Sequence, residues 1–483
     1  MTKNYGHTPY KHRRYGKRNG SSGPPQKGRI RLVLFLILVS FFFSRVIIPS
    51  FRGEVEPPKR ADQTPVKDDA RPDTTEPSDT VPTQEVALDT SATLPPSFSL
   101  THDDLPQLLK SASQDFTGTP DTLVWQDRSM IVHYSMKPRL NRLGKSFMES
   151  YRPRFGAVVL FQPKTGRILS LSSYENPDNP ESMSEFSTPV YTNASIPAAS
   201  IAKIVTATAA VEILGHTEQH VLRYHGDKYT LEEDQLQQHL SAGIDISLRR
   251  AFAESINPVF GTMGIFELGA NNLYTYAQNF GFNTKIPFML PVDTSVFHYP
   301  QTNLEIAQAA SGFSYTNTIS PIHGALMAGA IANQGIMLTP TIVDSVIDLE
   351  TEKQVYARSD SYWRRAFKAK NYPPLNEMMK DVSRYGTATS AFTFVRDSPR
   401  FRDFHYGGKT GTLTMAGYGL VDWFVGYLLD EDDVEQNVAC AVVMIKPPRW
   451  QGRSSYIGAE LMRRHVMNLQ EQVQHEQKDT AHE

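Results

Sequence analysis

The segment SIPAASIAKIVTATAAVEILGH, residues 195–216, places the tightest limit on the fold of this chain. A proline near its start, an alanine-rich body and Gly215 at its end predict a helix. The helix is apolar on nearly every side, so other elements must surround it. A chain of 483 residues is long enough for two or three domains of about 100–200 residues each. We therefore expect this helix at the centre of a sizeable domain.

A second apolar run, residues 32–51, follows an arm, residues 1–31, that is basic and contains no acidic residue. A run of roughly 20 residues matches the length that a helix needs to cross a membrane. Its one charge, Arg45, lies toward the far end, where its side chain can reach the interface. No small-residue cleavage site follows the run, which argues against a removed signal peptide. The pattern predicts a cytoplasmic arm and a single-pass anchor, with the rest of the chain exported.

The remaining chain divides by composition. Residues 52–118 are rich in proline, threonine and acidic residues, which predicts a flexible linker. We expect one globular domain over residues 119–470 and a polar tail over 471–483. The net charge of −2 gives no indication of nucleic acid binding. Strand-like segments at both ends of the domain, with helices between them, predict an α+β fold whose sheet combines distant parts of the chain around a helical lobe.

Ser200 and Lys203 lie three residues apart in the central helix, which puts both side chains on one face. A serine hydroxyl is a poor nucleophile unless a base takes its proton. A lysine can be that base only if its pKa falls, through burial or a second cation nearby. An apolar helix supplies the burial, and its N-terminus would favour a developing oxyanion.

Two more polar groups lie farther along the chain. Ser255 and Asn257 precede Pro258, and taken alone they are explained as turn or helix-capping residues. The run Lys409-Thr410-Gly411-Thr412 follows two glycines and leads into a strand-like segment. Glycine lets a ligand approach the backbone closely, and a lysine with threonine hydroxyls suits a carboxylate. A hairpin turn is the alternative explanation for this run.

The tripeptide Lys-Thr-Gly also occurs at residues 164–166. There, Pro163 suits the second position of a tight turn between two apolar strands and Gly166 suits its left-handed position, so we interpret this copy as a hairpin turn. The single cysteine, Cys440, lies in the apolar run NVACAVVMI and excludes an internal disulfide. We expect a buried structural thiol there, since nothing in its neighbourhood would lower its pKa.

The order S-x-x-K, S-x-N, K-T-G is typical of penicillin-recognising serine acyl transferases. The chain resembles the transpeptidase domain of penicillin-binding proteins over about residues 125–465. Four further segments carry the resemblance: AVVLFQPKTGRILSLSS, SGFSYTNTISPIHGALMAGAIANQGIMLTPTIV, RYGTATSAF and DWFVGY. It implies a β-lactamase/transpeptidase-like fold with a mainly antiparallel sheet flanked by helices, and it makes Lys409 the functional copy of the tripeptide.

The resemblance also implies roles. Ser200 would attack the carbonyl of a D-alanyl-D-alanine stem peptide, and Lys203 would take its proton. Ser255 and Asn257 would hold the substrate amide and help to protonate the departing D-alanine. The middle residue of this motif is Ile256 rather than Asp, which only weakens a likeness to class A β-lactamases.

On the other side of the cleft, Lys409, Thr410, Gly411 and Thr412 would form the segment that binds the terminal carboxylate of the substrate. The backbone N–H groups of Ser200 and Thr412 would form an oxyanion hole.

The implied protein is a membrane-anchored D,D-transpeptidase that cross-links peptidoglycan stem peptides and is acylated by β-lactams. It needs no metal or organic cofactor, and its catalytic domain lies outside the bacterial inner membrane. The linker is too short for a second folded module, so a separate glycosyltransferase is a candidate partner. Two alternatives stay open: a D,D-carboxypeptidase or β-lactamase-like hydrolase, and a non-catalytic β-lactam sensor or scaffold for wall synthesis.

Overall fold

A computed structural model of the chain describes residues 98–112, 116–178, 189–238, 242–415, 417–447 and 453–480, all within the compact unit Ala92–Glu483. The predicted arm and anchor, and the linker up to residue 97, lie outside these ranges. Among the helices that the structure does describe, none has both the length and the apolar character needed to cross a bilayer.

The described ranges contain helices and strands in alternating groups. The helices are α1 (Leu105–Leu108), α2 (Pro138–Tyr151), α3 (Lys203–Leu214), α4 (Leu248–Ala253), α5 (Asn257–Met263), α6 (Gly269–Asn279), α7 (Asn303–Ser311), α8 (Pro321–Ala332), α9 (Tyr372–Arg384), α10 (Thr393–Asp397) and α11 (Ser454–Thr480). The strands are β1 (Asp121–Trp125), β2 (Arg128–Tyr134), β3 (Phe155–Phe161), β4 (Ile168–Glu175), β5 (Val221–Tyr224), β6 (Ile244–Ser247), β7 (Ile336–Leu338), β8 (Val343–Asp348), β9 (Lys353–Ala357), β10 (Tyr362–Arg365), β11 (His405–Met415), β12 (Gly419–Leu429) and β13 (Val438–Lys446).

The largest sheet has five antiparallel strands in the order β11-β12-β13-β3-β4. The prediction of one sheet built from both ends of the domain is confirmed, since β3 and β4 precede the helical lobe and β11 to β13 follow it. A four-stranded sheet, β1-β2-β8-β9, and the pairs β5-β6 and β7-β10 complete the described strands. The fold is α+β, with antiparallel sheets flanked by helices.

Helices cover both faces of the five-stranded sheet. Helix α8 packs on one face, where Gly324 approaches Val425 and Ala441. Helix α11 packs on the other, where Gly458 approaches Phe424 and Cys440. Burial on both faces explains why β13 is apolar along its whole length rather than alternating. As expected, Cys440 is a buried thiol, and burial raises its pKa.

The all-apolar helix lies where the sequence predicted it. Residues Lys203 to Val211 of α3 are all buried, and the helix ends at Gly215 in the left-handed conformation, with φ of 67°. The first turn differs from the prediction: Ala199–Ala202 form a 3-10 turn before the α-helix begins at Lys203. This tighter turn still leaves Ser200 and Lys203 as neighbours, since a 3-10 helix aligns residues three apart.

The first Lys-Thr-Gly is a turn, as predicted. The Gly166 N–H donates to the Gln162 carbonyl at 2.9 Å, and Gly166 has φ of 75°. A side chain at Gly166 would also meet the Thr339 carbonyl oxygen at 2.3 Å, so the position requires glycine on two counts. Lys164 is exposed.

The predicted domain boundaries need correction at both ends. Residues 98–112 were assigned to the linker 52–118, yet they contain α1 and bury Leu105 and Leu108. The leucines of this short stretch supply apolar surface that the proline-rich composition around it obscures. At the other end α11 continues to Thr480, beyond the predicted domain end at 470 and into the predicted tail 471–483.

Candidate active site

The turn that carries Ser200 is held from three directions. Gly411 on β11 lies so close that a Cβ there would be 3.3 Å from the Ala199 Cβ, and one on Gly312 would be 2.0 Å from the Ala199 carbonyl oxygen. Trp423 donates its indole N–H to the Pro197 carbonyl at 2.9 Å. Ala199 has φ of 48°, a left-handed conformation that costs a non-glycine residue about 1–2 kcal/mol. These contacts maintain the strained turn and fix the position of the half-buried Ser200 hydroxyl.

Lys203 lies directly beneath this hydroxyl. Its Nζ is 2.9 Å from Ser200 Oγ and donates to Asn257 Oδ1 at 2.7 Å and to the Ser311 carbonyl at 2.6 Å. The side chain is fully buried, and desolvation, together with the nearby Lys409, holds the pKa of Lys203 well below its usual value. A neutral amine has two N–H donors and one lone pair. The two carbonyl-type acceptors take the donors, which leaves the lone pair for the proton of Ser200.

Hydrogen bonds to both the oxygen and the nitrogen of its amide fix the orientation of Asn257. Its Oδ1 accepts from Lys203, and its Nδ2 donates to the Tyr229 carbonyl at 2.9 Å. Asn257 is the first residue of α5, with Pro258 in the first turn of that helix, which fits the proline in the sequence. Ser255 lies two positions before Asn257, in the left-handed conformation with φ of 59°. The bend between α4 and α5 therefore places Ser255 and Asn257 against different lysines.

Strand β11 brings Lys409 to the same place. Its Nζ donates to Ser255 Oγ at 3.0 Å and to the Thr410 carbonyl at 2.9 Å, and lies 5.5 Å from the centre of the Phe252 ring. Lys409 is fully buried, and this burial lowers its pKa to about 7. Thr410 Oγ1 is 2.5 Å from Thr387 Oγ1, and Thr412 is exposed at the opening of the site.

These residues line or underlie one cleft of about 880 Å³. Five of the predicted site residues line it directly: Ser200, Ser255, Asn257, Thr410 and Thr412. Lys203 and Lys409 lie beneath the floor and reach the cleft through the hydroxyls of Ser200 and Ser255. Gly411 packs against the Ser200 turn, and the lack of a side chain at this position allows the two segments to approach closely. The structure thus brings all eight predicted residues together, and Lys164 does not belong to the cleft.

The site contains two buried basic side chains and no carboxylate paired with them in the described ranges. Two buried lysines lie close enough for Lys409 to lower the pKa of Lys203, and within the described ranges neither forms an ion pair with a carboxylate. Buried amines without a carboxylate partner, beneath open hydroxyl groups, suit an anionic ligand, whose arrival would favour the protonated form of Lys409.

Several residues of the cleft were not identified from the sequence. Thr387 lies in the segment RYGTATSAF, and Ser311 begins the segment SGFSYTNTIS. Both segments carry the family resemblance, but the sequence does not show that these two residues contact Thr410 and Lys203. Asp422, which lines the cleft on β12 opposite Thr412, pairs with Lys446 at 2.7 Å. The exposed Tyr315 lines the same cleft.

The comparisons with known proteins agree with this geometry. The family model described as "Penicillin binding protein transpeptidase domain" matches residues 156–465, well over half of the chain. The chain belongs to this family. The penicillin-binding transpeptidase domain identified this way includes all three motifs and every residue of the cleft described above.

Among curated relatives, the chain is 30% identical over 243 residues to the peptidoglycan D,D-transpeptidase PbpA of Mycobacterium tuberculosis. The match covers 44% of this chain and 48% of PbpA, so the chain spans about half the length of that relative.

Two solved structures show the same fold. A penicillin-binding protein A from M. tuberculosis, determined as a penicillin G acyl-enzyme complex, superposes with a TM-score of 0.53 at 23% identity, covering 70% of this chain and 80% of that one. The D,D-transpeptidase domain of a peptidoglycan glycosyltransferase from Eggerthella lenta gives a TM-score of 0.54 at 22% identity, covering 70% and 83%.

Proposed function

We propose that this protein is a serine D,D-transpeptidase that cross-links peptidoglycan stem peptides ending in D-alanyl-D-alanine. The contact of 2.9 Å between the fully buried Lys203 amine and the half-buried Ser200 hydroxyl is the observation that carries the proposal. It supplies what a serine nucleophile needs, a base whose pKa is held well below its usual value by burial and that is already in hydrogen-bonding distance.

In the acylation step, Ser200 Oγ forms a bond to the carbonyl carbon of the penultimate D-alanine while its proton passes to Lys203 Nζ. The amide bond to the last D-alanine breaks, and the departing amine receives a proton through Ser255, which hydrogen-bonds Lys409. An amine from a neighbouring stem peptide then attacks the ester and releases Ser200. Two general acid–base groups of this kind contribute about 100- to 10,000-fold each in typical enzymes.

Substrate binding would use the opposite wall of the cleft. The terminal carboxylate of the stem peptide is proposed to lie against Thr410 and Thr412, with Lys409 behind them supplying positive charge. β11 is the edge strand of its sheet, so alternate backbone groups along it have no strand partner and can pair with an extended peptide. The N–H groups of Ser200 and Thr412 would stabilise the oxyanion.

The class of inhibitor follows from the same geometry. A β-lactam has a strained amide and a carboxylate at a spacing similar to that of the stem peptide, so it should acylate Ser200 as well. The family membership, the name of the PbpA relative and the penicillin G complex of a structural neighbour all support this extension to the present chain.

The decisive experiment is intact-mass spectrometry of the protein after incubation with penicillin, and with a synthetic stem peptide in the presence and absence of an acceptor amine. We expect a penicillin adduct, and a cross-linked dimer that forms with release of D-alanine. Release of D-alanine without dimer would identify a carboxypeptidase. Acylation by penicillin without any turnover of stem peptide would identify a sensor or scaffold.

We also propose that residues 32–51 anchor the protein in the bacterial inner membrane, with the catalytic domain outside the cytoplasm and a separate glycosyltransferase as a partner. The apolar length, the basic arm and the short linker support this arrangement.

Truncation tests the anchor. Deleting residues 1–51 is expected to move the penicillin-reactive domain from the membrane to the soluble fraction, because the apolar run is then lost. Deleting residues 1–31 alone is the matched control and should leave the protein in the membrane. If the protein without residues 1–51 still sediments with membranes in high salt, a different surface mediates the attachment.

A further inference from the structure

A cluster of potential metal ligands lies at the end of α3 that is remote from Ser200. His216 and His220 follow the Gly215 that ends the helix, and their rings stack with centroids 3.5 Å apart and an interplanar angle of 11°. Glu267 approaches from a neighbouring element, with its Oε2 2.7 Å from His216 Nε2. One ligand atom from each of the three side chains lies within 4.8 Å of the others.

The hydrogen bond between His216 and Glu267 accounts for two of these side chains but not for the third. Within the described part of the chain, the ring of His220 stacks on His216 and makes no hydrogen bond, so a ring nitrogen is available to a ligand. His216 is largely covered, with 11% of its side chain exposed, and Glu267 is 31% exposed. A small ion can therefore reach the cluster from solvent and be partly enclosed there.

The backbone around Glu267 has an unusual form. Residues Gly264–Leu268 form a π-helix between α5 and α6. Such segments are rare, and they frequently occur at functional sites because the wider turn re-aims a side chain. Here the wider turn carries the residue that completes the cluster.

We propose that His216, His220 and Glu267 bind a divalent transition-metal ion, with Zn²⁺ as the best fit. Two imidazole nitrogens and one carboxylate oxygen form a ligand set that zinc uses, with bonds of about 2.0–2.2 Å and a water molecule as the fourth ligand. Tetrahedral bonds of that length place ligand atoms about 3.4 Å apart, and a ring nitrogen binds an ion that lies in the plane of its ring, so zinc binding requires the His216–His220 stack to open.

The location assigns the ion a positioning role rather than a part in the chemistry. Gly215 lies twelve positions beyond Lys203, about 18 Å along the helix axis, and none of the three ligands lines the cleft. The π-helix packs on α7, where Gly264 fits against Ala310, and α7 ends at Ser311, whose carbonyl accepts from Lys203. The ion would connect the end of α3, the helix that carries Lys203, to the π-helix that packs on α7.

Zinc binding to the full chain, purified in detergent without a histidine tag, tests this proposal. Isothermal titration calorimetry with ZnCl₂, after chelation and dialysis, should give one ion per chain. The chain has 14 histidines, so a matched control is needed. His298 is exposed and lies outside both the cluster and the cleft, and His298→Gln should bind zinc as the wild type does.

The variants His220→Gln and Glu267→Gln should each bind zinc at least about 100-fold more weakly, since removing even an outer partner of a metal ligand costs about 10- to 100-fold. Free zinc at about 100 times its dissociation constant should raise the Tm of the wild type by roughly 3–4 °C and leave the Tm of both variants unchanged. Glu267→Gln alters only a partly exposed carboxylate, so it keeps the test valid if a histidine variant fails to fold. No zinc binding by the wild type, or equal binding by wild type and Glu267→Gln, would overturn the proposal.

Discussion

Ser200→Ala is expected to abolish covalent labelling by a fluorescent penicillin while leaving the domain folded. The substitution removes the one atom that forms the acyl bond. It should cost little stability, because the Lys203 amine keeps its two other partners, Asn257 Oδ1 and the Ser311 carbonyl, and is not left unsatisfied. The measurement is intact-mass spectrometry after incubation with penicillin, combined with the Tm of the apo protein.

A matched control separates loss of the nucleophile from a general effect of replacing serine. Ser150 is exposed on α2, far along the chain from the cleft residues, and its hydroxyl donates only to the Ser146 carbonyl within its own helix. Ser150→Ala should be labelled as fast as the wild type. Persistent labelling of Ser200→Ala at an undiminished rate would assign the reaction to another nucleophile and would remove the basis of the proposed mechanism.

The pairing of Ser200 with Lys203 could be predicted from the sequence because it depends on local geometry alone. Residues three apart meet on a helix whether its turn is 3-10 or α, and the apolar composition of α3 already implied that the lysine would be dry. The hairpin interpretation of residues 164–166 was equally local, since proline and glycine at fixed turn positions determine it. The sheet built from both ends of the domain could be inferred from the pattern of strand-like segments.

The rest of the site depends on contacts between distant parts of the chain. The Ser311 carbonyl lies 108 positions from Lys203, and Thr387 lies 23 positions from Thr410, and no periodicity in the sequence relates such pairs. Its local sequence alone explains Ser255 as a turn or capping residue, whereas in the structure it adopts a left-handed φ of 59° between α4 and α5. The folded residues 98–112 escaped prediction because a few leucines form their core contacts within a stretch of polar composition.

Lys409→Ala is expected to lower the second-order rate constant of acylation by penicillin about 100-fold or more, whereas Lys164→Ala should leave it within about twofold. In the proposed complex Lys409 is the charged partner of the bound carboxylate, and truncating one member of such a buried pair typically costs about 2–5 kcal/mol, where each 1.4 kcal/mol is a factor of about ten. Lys409 contacts Ser255 and lies behind the proposed carboxylate site, while Lys164 belongs to an exposed turn of the same tripeptide sequence. The rate constants are measured by stopped-flow or gel-based labelling at several penicillin concentrations.

The comparison is informative because both lysines belong to a Lys-Thr-Gly tripeptide, whereas Lys409 is buried and contacts Ser255 and Lys164 is exposed in a turn. Burial on β11 removes Lys409 from water and lowers its pKa to about 7, so the ammonium form of Lys409 is poorly stabilised in the site without ligand. A bound carboxylate restores the missing partner, and the gain appears in binding and acylation. Lys409→Met, which keeps the volume but not the charge, should match Lys409→Ala in rate while packing better. Equal effects of substitutions at 164 and 409 would mean that the carboxylate is recognised elsewhere in the cleft.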